Sequence, residues 1–409
     1  MWAELARIGR DPESGGYHRG GWTPAERAAT HWFTDQCASR GLRLESDGIG
    51  NLVAWWLPPS PSRSSVASRQ PVDKGIVTGS HLDSVIDGGA FDGPLGVVSA
   101  LAAVDRLRAE GFVPRVPIGV GAFVEEEGSR FGMPCLGSRV AVGALPADRA
   151  LGLTDRSGTT LRAALEASGI DAAGVGPSPL LERMAAFVEL HVEQGRGLVD
   201  DGAAVGVASS IWPHGRYRFE FTGEANHAGT TLMEDRHDPM LTYAMTALTA
   251  SEQARLAGAR ATFGRVAVEP NGTNAVPSKV TAWLDARAAD TAAVESLLEA
   301  ITRQAVERAE RDGTAVTVTA ESVSPVVDFE PGLRDRLVAA IEPVVPKAPV
   351  LPTGAGHDAG VFSAAGVPTA MLFVRNPTGV SHSPAEHAEL DDCLAGVDAL
   401  ALVLKDLAS

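Results

Sequence analysis

Side chains that commonly bind metal ions follow several short apolar runs of this sequence. His81, Glu125–Glu127, His191 and His382 each come after a run with the character of a buried strand. In open α/β sheets, ligands bind beyond the carboxyl ends of the strands, so residues about 300 positions apart can converge there. Imidazole and carboxylate groups are ligands for divalent transition metals. The pattern therefore predicts a metal site at one edge of a sheet.

Asp92 adds a further carboxylate to this set, because it lies in the glycine-rich segment Gly88–Gly93, which can approach a metal closely. Each signal alone has an ordinary explanation. A lone histidine after a strand is usually a hydrogen-bonded core or surface residue, and a run of glutamates is usually a solvated helix start. A pair of glycines beside an aspartate is usually a turn. Their joint occurrence at several strand ends favours the metal site.

The elements that must position these residues alternate between strands and helices. Apolar strand candidates such as 75–80, 116–124, 184–190 and 369–374 alternate with helical patterns, which predicts an α/β layered sheet. Thr23–Glu26 has the pattern of a helix-capping box. The Pro/Ser/Arg-rich stretch 58–71 is predicted to be an exposed loop.

The character of the sequence changes between residues 211 and 324, where polar and apolar residues alternate as in half-exposed antiparallel strands. We therefore predict an inserted α+β domain at 211–324 that interrupts a catalytic α/β domain formed by 1–210 and 325–409. A chain of 409 residues is also long enough for two cores.

The acidic composition argues against nucleic acids and membranes as partners. With 51 acidic and 35 basic side chains, the formal net charge is −16, which repels phosphate backbones and anionic lipids. The three widely spaced cysteines are typical of thiols in a reducing compartment. The sequence has no signal-peptide pattern and no apolar stretch of roughly 20 residues, so we expect a cytoplasmic protein.

Five motifs occur in order along the chain: Gly79–Ser84, Gly88–Gly96, Glu126–Phe131, Glu189–Gly195 and Gly379–Glu386. As an ordered set they resemble the hydantoinase/carbamoylase branch of the dinuclear metallo-aminoacylases. This branch includes N-carbamoyl-L-amino-acid hydrolases, allantoate amidohydrolases and β-ureidopropionases. The resemblance implies a mixed sheet covered by helices, of the metallo-exopeptidase type, with the insertion acting as a lid and dimerisation domain.

The resemblance implies two divalent ions, of Mn, Zn, Co or Ni, that share Asp92 as a bridge. His81 and His191 would complete the ligands of one ion, and Glu127 and His382 those of the other. This assignment agrees with the chemistry, because two neighbouring cations need an anionic bridge and a mixed His/carboxylate set suits borderline metals. Asp83, two residues after His81, would orient that imidazole from outside the ligand set.

The resemblance also assigns roles in the reaction. Glu126 resembles the family's general base, which would take a proton from metal-bound water to give a hydroxide that bridges the two ions, whereas Glu125 is interpreted as structural. Gln194, in the fourth motif, is predicted to contact substrate. A role for His357 is left open. The peptide between Asp92 and Gly93 is expected to be cis by the same resemblance.

In the insertion, the segment 223–231 resembles the family's lid motif, whose histidine, here His227, polarises the scissile carbonyl. Asn274 and Arg287 resemble its clamp for the substrate carboxylate. A planar guanidinium suits bidentate carboxylate binding. Without the motif, an ion pair between Arg287 and Asp285 would be the preferred interpretation.

These features together predict a homodimeric metal-dependent amidohydrolase. We expect it to cleave the ureido C–N bond of a small carboxylate-bearing substrate, either allantoate or an N-carbamoyl-L-amino acid. The alternatives are an aminoacylase or dipeptidase of the same clan and a non-catalytic binding homologue. His191 argues against the first, because peptidase relatives more often have a carboxylate there. The presence of Glu126 and of every predicted ligand argues against the second.

Overall fold

The computed structural model describes residues 1–59 and 74–409. The predicted exposed loop at 58–71 lies almost entirely outside these residues. The α-helices of the described ranges are α1 (Trp2–Leu5), α2 (Pro24–Ser39), α3 (Pro94–Ala109), α4 (Leu136–Ala141), α5 (Ala147–Leu151), α6 (Leu161–Ala167), α7 (Gly197–Asp200), α8 (Pro239–Ala257), α9 (Thr291–Asp312), α10 (Pro331–Ile341), α11 (Asp358–Ala364) and α12 (Leu390–Leu407).

The strands of the same ranges alternate with these helices through much of the chain. They are β1 (Arg43–Ser46), β2 (Leu52–Trp56), β3 (Gly75–His81), β4 (Ile118–Phe123), β5 (Met184–Val192), β6 (Val205–Ile211), β7 (His214–Thr222), β8 (Asn226–His227), β9 (Arg260–Glu269), β10 (Ala275–Val276), β11 (Lys279–Arg287), β12 (Ala315–Ser324), β13 (Val327–Asp328), β14 (Val350–Thr353) and β15 (Thr369–Val374).

The chain divides into two compact units. One comprises Met1–Ser210 and Asp328–Ser409, and the other comprises Ile211–Val327. The sequence analysis placed the corresponding boundaries at residues 210/211 and 324/325. No helix within the described ranges is long and apolar enough to cross a membrane.

The first unit contains a mixed sheet, as the sequence analysis predicted. Its central strands β4, β3, β5 and β15 are parallel neighbours, whereas β1, β2 and β6 pair antiparallel at the flanks. Helices cover both faces of this sheet. Ala186 and Val188 pack into the core with α3 and α12, whereas the alternate residue Phe187 contacts Phe362 of α11 on the other face. Strands buried on both faces explain why these segments are almost wholly apolar.

The second unit is an antiparallel sheet with helices against one face. Its strand order is β12-β7-β11-β9. The alternation along β7 buries Tyr217, Phe219 and Phe221 beneath α8 and α9. The intervening residues Arg216, Arg218 and Glu220 form ion pairs on the other face. The period of two in the sequence is therefore the signature of one covered and one charged face.

Helix α2 begins with a modified capping box. The Thr23 side chain accepts a hydrogen bond from the Glu26 amide at 3.4 Å, as predicted. The Glu26 carboxylate accepts a hydrogen bond from the amide of Trp22 at 3.0 Å and another from the Thr30 hydroxyl at 2.6 Å. Burial raises the pKa of the Glu26 carboxyl to about 7, because desolvation disfavours its charged form.

This raised pKa predicts a pH-dependent contribution to stability. Between pH 4.5 and 7 the folded state binds more protons at Glu26 than the unfolded state, so stability falls as pH rises through this window. Glu26→Gln removes the titration, and we expect the variant to gain up to about 3 kcal/mol over the wild type between pH 5 and pH 8. Urea unfolding at both pH values measures this difference. The exposed Glu166→Gln serves as the control, and an equal offset at both pH values would contradict the prediction.

Candidate metal centre

The parallel strands of the first unit bring the predicted ligands to one edge of the sheet. His81 is the last residue of β3, and His191 lies near the end of the neighbouring β5. Glu127 follows β4 on one side of β3, and His382 follows β15 on the other side of β5. This convergence is the arrangement expected at the carboxyl ends of parallel strands.

A first donor group consists of His81, Asp92 and His191. The Nε2 atoms of His81 and His191 lie 3.5 Å and 3.2 Å from Oδ1 of Asp92. All three side chains are buried, and their ligand atoms lie within 4.8 Å of one another. A buried cluster of this composition is typical of a site for a divalent cation.

A second donor group consists of Asp92, Glu127 and His382, and it uses the other oxygen of the same aspartate. Nε2 of His382 lies 3.5 Å from Oδ2 of Asp92 and 3.4 Å from Oε2 of Glu127. The Asp92 carboxylate therefore presents one oxygen to each group. All five predicted ligands are brought together by this geometry.

The hydrogen bonds of the buried histidines leave the right nitrogen for a metal. Nδ1 of His81 lies 3.1 Å from the carbonyl oxygen of Asp83, and Nδ1 of His191 lies 2.9 Å from that of Val192. A carbonyl oxygen only accepts, so each Nδ1 carries a proton when the ring is neutral. The Nε2 atoms then carry the lone pairs that metal ligation requires, and that of His191 accepts a hydrogen bond from the Gly93 amide at 3.2 Å. The residues present therefore fit a divalent cation in each donor group.

In the absence of a cation, the charged groups of this cluster shift the pKa values of one another. Burial lowers the pKa of His191, but the hydrogen bond and charge of Asp92 outweigh it and raise this pKa to about 9. Burial and the charge of Asp92 raise the pKa of Glu127 well above its ordinary value. Carboxylates packed this closely repel one another, so a cation at this position relieves an unfavourable interaction.

Asp83 makes a contact that the sequence analysis did not predict. Its Oδ1 accepts a hydrogen bond from the amide of Glu126, and its Oδ2 accepts one from the amide of Glu127, both at 3.1 Å. The distance from Oδ1 of Asp83 to Nδ1 of His81 is 3.5 Å, longer than the contact of that nitrogen with the backbone. The side chain therefore fixes the loop after β4 at least as directly as it orients His81.

Glu126 lies beside the first donor group without belonging to it. Its Oε2 is 3.7 Å from Nε2 of His81, and its Oε1 accepts a hydrogen bond from the thiol of Cys135 at 3.2 Å. Burial raises the pKa of the Glu126 carboxyl to about 7, and the Asp83 carboxylate adds to the increase. A carboxyl group with such a pKa is suited to exchanging protons near neutral pH.

Glu125 has a structural environment, as the sequence analysis interpreted it. Its buried carboxylate accepts hydrogen bonds from the amides of Gly21, Arg130 and Phe131 at 2.8 to 2.9 Å. These bonds close the loop that follows β4 and join it to the N-terminal segment. Glu125 thus points away from the donor groups, whereas the next two glutamates point towards them.

Gln194 contacts the shared aspartate. Its side-chain amide donates to Oδ2 of Asp92 at 2.8 Å, and because that carboxylate only accepts, the orientation of the amide is fixed. Its Oε1 is buried and has no hydrogen-bond partner among the residues that the structure describes. Ser381 reaches the same oxygen of Asp92 at 3.0 Å and was not identified from the sequence.

The peptide between Asp92 and Gly93 is trans, so the expectation of a cis bond is wrong. Gly93 instead adopts φ = 82°, a conformation that glycine reaches without steric cost. A Cβ atom at this position would lie 2.5 Å from the His81 ring. The close approach of backbone and ligand is therefore achieved by the absence of a side chain.

A third group, Glu189, His191 and His357, lies behind the first. The Glu189 carboxylate accepts hydrogen bonds from the Ser80 hydroxyl at 2.7 Å and from the Ala359 amide at 3.0 Å. The His357 and His191 rings are 4.5 Å apart between centroids. Residues 189 and 191 are two apart on one strand, so their side chains point to the same face. The sequence could therefore have indicated Glu189 as a neighbour of His191.

In the second unit, His227 and Asn274 are neighbours. His227 pairs with Ala275 across β8 and β10, and the Asn274 carbonyl accepts from the Ala228 amide at 3.0 Å. Both side chains are exposed. Nδ1 of His227 accepts a hydrogen bond from the Gly229 amide at 3.0 Å.

Arg287 lies elsewhere in that unit, at the far end of β11. Its guanidinium forms a bidentate pair with Asp285, with distances of 2.6 Å and 2.9 Å. The strand begins at Lys279, beside the segment that carries Asn274, and its nine residues span about 26 Å. The sequence analysis treated His227, Asn274 and Arg287 as one set, but within one chain they are not adjacent.

Comparison with known proteins identifies the family. Residues 77–406 match the profile of peptidase family M20/M25/M40. The chain is 36% identical to an N-carbamoyl-L-amino acid amidohydrolase of Geobacillus stearothermophilus, over 97% of this chain and 94% of the relative. It is 32% identical to an allantoate amidohydrolase of Escherichia coli K12, over 99% and 96%. A hydantoinase/carbamoylase family amidase from Burkholderia vietnamiensis superposes with a TM-score of 0.89 at 28% identity, over 100% of this chain and 95% of that one.

These similarities confirm the predicted fold class and the predicted class of enzyme. Hydrolases of this family use divalent metals, and the donor groups around Asp92 supply candidate ligands. The match extends over most of the chain, and the relatives are amidohydrolases. The chain therefore belongs to peptidase family M20/M25/M40, in its hydantoinase/carbamoylase branch, and is a metal-dependent hydrolase of non-peptide C–N bonds.

Proposed function

We propose that this enzyme hydrolyses the ureido C–N bond of a small carboxylate-bearing substrate, with two divalent cations held around Asp92. The observation that carries the proposal is the division of the Asp92 carboxylate, whose Oδ1 faces His81 and His191 and whose Oδ2 faces His382. The substrates that we propose are allantoate and N-carbamoyl-L-amino acids, on which the two named relatives act by their names.

The cations would be held by nitrogen and oxygen ligands. His81, His191 and Oδ1 of Asp92 would bind one, and Glu127, His382 and Oδ2 of Asp92 the other. This mixture suits Mn, Zn, Co or Ni. When bound, such a pair polarises a substrate carbonyl and lowers the pKa of water to about 7.

Glu126 is positioned to move the proton in this reaction. Its Oε1 is engaged by the Cys135 thiol, and its Oε2 points towards the first donor group. We assign to it the transfer of a proton from the attacking water to the leaving nitrogen. Its buried position beside the first donor group suits a carboxylate that accepts a proton from water and delivers it to the leaving nitrogen.

Gln194 can recognise the ureido group itself. Because Asp92 engages the Nε2 end of its amide, the Oε1 end is left as an acceptor. A ureido group carries N–H donors, and a buried acceptor without a partner costs about 1–3 kcal/mol. Accepting a substrate N–H would remove that cost only when substrate is bound.

His227 has the tautomer needed to polarise a carbonyl. Its Nδ1 accepts from the Gly229 amide, so the neutral ring carries its proton on Nε2. Nε2–H would donate to the substrate oxygen on which charge develops. Asn274, on the paired segment, would contact the same substrate.

Arg287 is a suitable clamp for the substrate carboxylate. Asp285 holds its guanidinium in a fixed plane through two hydrogen bonds, and a planar guanidinium suits the bidentate recognition of a carboxylate. In a protein of net charge −16, an anionic substrate requires such a local cation.

The separation of these residues along β11 supports a site completed by two copies of the chain. Arg287 lies about 26 Å from the end of β11 near His227 and Asn274. One small substrate cannot span that distance. We therefore propose a homodimer in which His227 and Asn274 of one copy serve the site of the other.

Helix α8 offers a surface for this second copy. Its inward positions include Thr242, Thr246, Ala250 and Ala254, whereas large apolar side chains are exposed on the other face. An exposed apolar stripe on a helix marks an interaction surface. The neighbouring edge strand β9 also lacks a partner on one side within residues 211–327, all of which are described. The exposed residues are Leu241, Met245, Leu248 and Leu256.

The cysteines support the cytoplasmic location that the sequence analysis expected. Cys37, Cys135 and Cys393 are free thiols among the described residues, and the first two are buried. Unpaired buried thiols are typical of proteins that fold in a reducing compartment.

The proposed base predicts a selective loss of turnover. Glu126→Gln keeps the contacts of the side chain but neither accepts nor relays a proton, so we expect turnover to fall by about 10²–10⁴-fold. Ammonia release from allantoate and from a panel of N-carbamoyl-L-amino acids, with Mn²⁺ added, measures this. The exposed Glu182→Gln on the same unit should retain full turnover. Wild-type turnover in Glu126→Gln would show that another group carries the proton.

The shared aspartate predicts unequal effects on metal content. Because Asp92 belongs to both donor groups and His382 to one, we expect Asp92→Ala to retain almost no metal and His382→Ala to retain about one ion per chain. Elemental analysis after dialysis measures the ratio. The exposed His387→Ala, five residues further on, should keep the wild-type content. Equal losses in both ligand variants would contradict the assignment.

The proposed dimer predicts complementation between two inactive variants. When Glu126→Gln and His227→Ala are co-expressed, each mixed dimer has one site with both residues intact. We expect about a quarter of wild-type activity, because half of the dimers are mixed and one of their two sites works. Two different Glu126 substitutions combined in the same way are the control and should give none. No recovery from the first pair, or a monomer in sedimentation, would exclude the shared site.

A further inference from the structure

We propose that Glu386 is a positioning residue that fixes the Asp92 carboxylate between the two donor groups. This inference rests on the proposed dinuclear site and extends it to a residue outside the ligand set. Glu386 is 5% exposed and lies in the turn-rich segment between β15 and α12.

The Glu386 carboxylate holds the Asp92 segment by its backbone. Its Oε1 accepts hydrogen bonds from the amides of Phe91 at 2.8 Å and of Asp92 at 2.9 Å. Two amide donors on one carboxylate oxygen fix the position and direction of the chain at Asp92. Bonds of this kind, to a charged acceptor, are stronger than those between neutral groups.

The same carboxylate holds the segment that carries His382. Its Oε2 lies 2.9 Å from the Ser381 hydroxyl, which is also 3.0 Å from Oδ2 of Asp92. The single proton of this hydroxyl lies between two carboxylates. Glu386 therefore holds the Asp92 segment through its backbone amides and shares the Ser381 hydroxyl with the Asp92 side chain. His382 lies in the segment between β15 and α12, so no strand fixes its position. It is also half-exposed and has a positive φ of 55°.

Gly89 is needed because the Glu386 carboxylate occupies the space of its side chain. A Cβ atom on Gly89 would lie 2.3 Å from Oε1 and 2.4 Å from the carboxyl carbon of Glu386. Gly89 is not in the left-handed region, so its backbone conformation does not by itself require a glycine. The close approach of the Glu386 carboxylate therefore explains this glycine.

The surroundings of Glu386 distinguish it from a ligand. Both of its oxygens face N–H or O–H donors, and it belongs to none of the donor groups among the described residues. Asp92 must present one oxygen to each donor group, and a rotation of its carboxylate would disrupt both. Groups that orient a ligand in this way typically change metal affinity by about 10–100-fold when they are removed.

Metal titration of variants tests this role. Glu386→Ala leaves the amides of Phe91 and Asp92 without their acceptor, whereas the Ser381 hydroxyl keeps Oδ2 of Asp92 as an acceptor. We therefore expect Mn²⁺ affinity, measured by calorimetry on chelator-treated protein, to fall about 10–100-fold. Glu386→Gln keeps a carbonyl oxygen for the two amides, and its NH₂ group can donate to Ser381. We therefore expect this variant to recover most of the affinity. The visible spectrum of the Co²⁺ form should change in the alanine variant and be restored in the glutamine variant.

The matched control is Glu389→Ala, an exposed glutamate three residues further on, which should bind Mn²⁺ as the wild type does. Ser381→Ala provides a second test should Glu386→Ala fail to fold, and we expect a smaller loss of about 3–10-fold because one of the two links remains. Mn²⁺ binding by a wild-type protein that releases no ammonia from any ureido acid would refute the proposed function and leave this inference standing. Wild-type Mn²⁺ affinity in Glu386→Ala, or in Ser381→Ala if the first does not fold, would overturn it.

Discussion

The structure around the candidate metal centre depends on one carboxylate that faces two groups of donor side chains at once. Asp92 is buried, with one oxygen towards two histidines and the other towards His382 and Glu127. Several anionic groups are crowded within the same small region, and burial together with the Asp83 and Glu189 carboxylates raises the pKa of Glu126 to about 7. Such crowding is unfavourable unless positive charge is added. The convergence of the donor side chains and the crowding of their charges therefore have the same origin.

Other carboxylates hold the ligand loops without serving as ligands. Asp83 binds the amides of Glu126 and Glu127, Glu125 closes the same loop, and Glu386 binds the amide of Asp92. Loops at the carboxyl ends of strands have no sheet hydrogen bonds of their own, so buried amides there need other acceptors. Acidic side chains supply them, and the site therefore contains more carboxylates than metal binding requires.

The sequence was sufficient to predict which donor side chains converge, because strand ends can be recognised from apolar runs and parallel strands bring their ends together. It did not reveal that Asp83 accepts hydrogen bonds from the loop after β4, or that Glu386 accepts one from the amide of Asp92. Contacts between distant loops leave no periodic signal in a sequence. The expected cis peptide after Asp92 was wrong, since Gly93 achieves the turn through φ. The separation of Arg287 from His227 follows from strand pairing, which motifs do not encode.

The central claim is that Asp92 bridges two cations, and anomalous diffraction from crystals grown with Mn²⁺ tests it most directly. We predict two peaks about 3.5 Å apart on either side of the Asp92 carboxylate. One should be ligated by His81 and His191, and the other by Glu127 and His382. A single peak, or peaks that do not contact Asp92, would contradict this account.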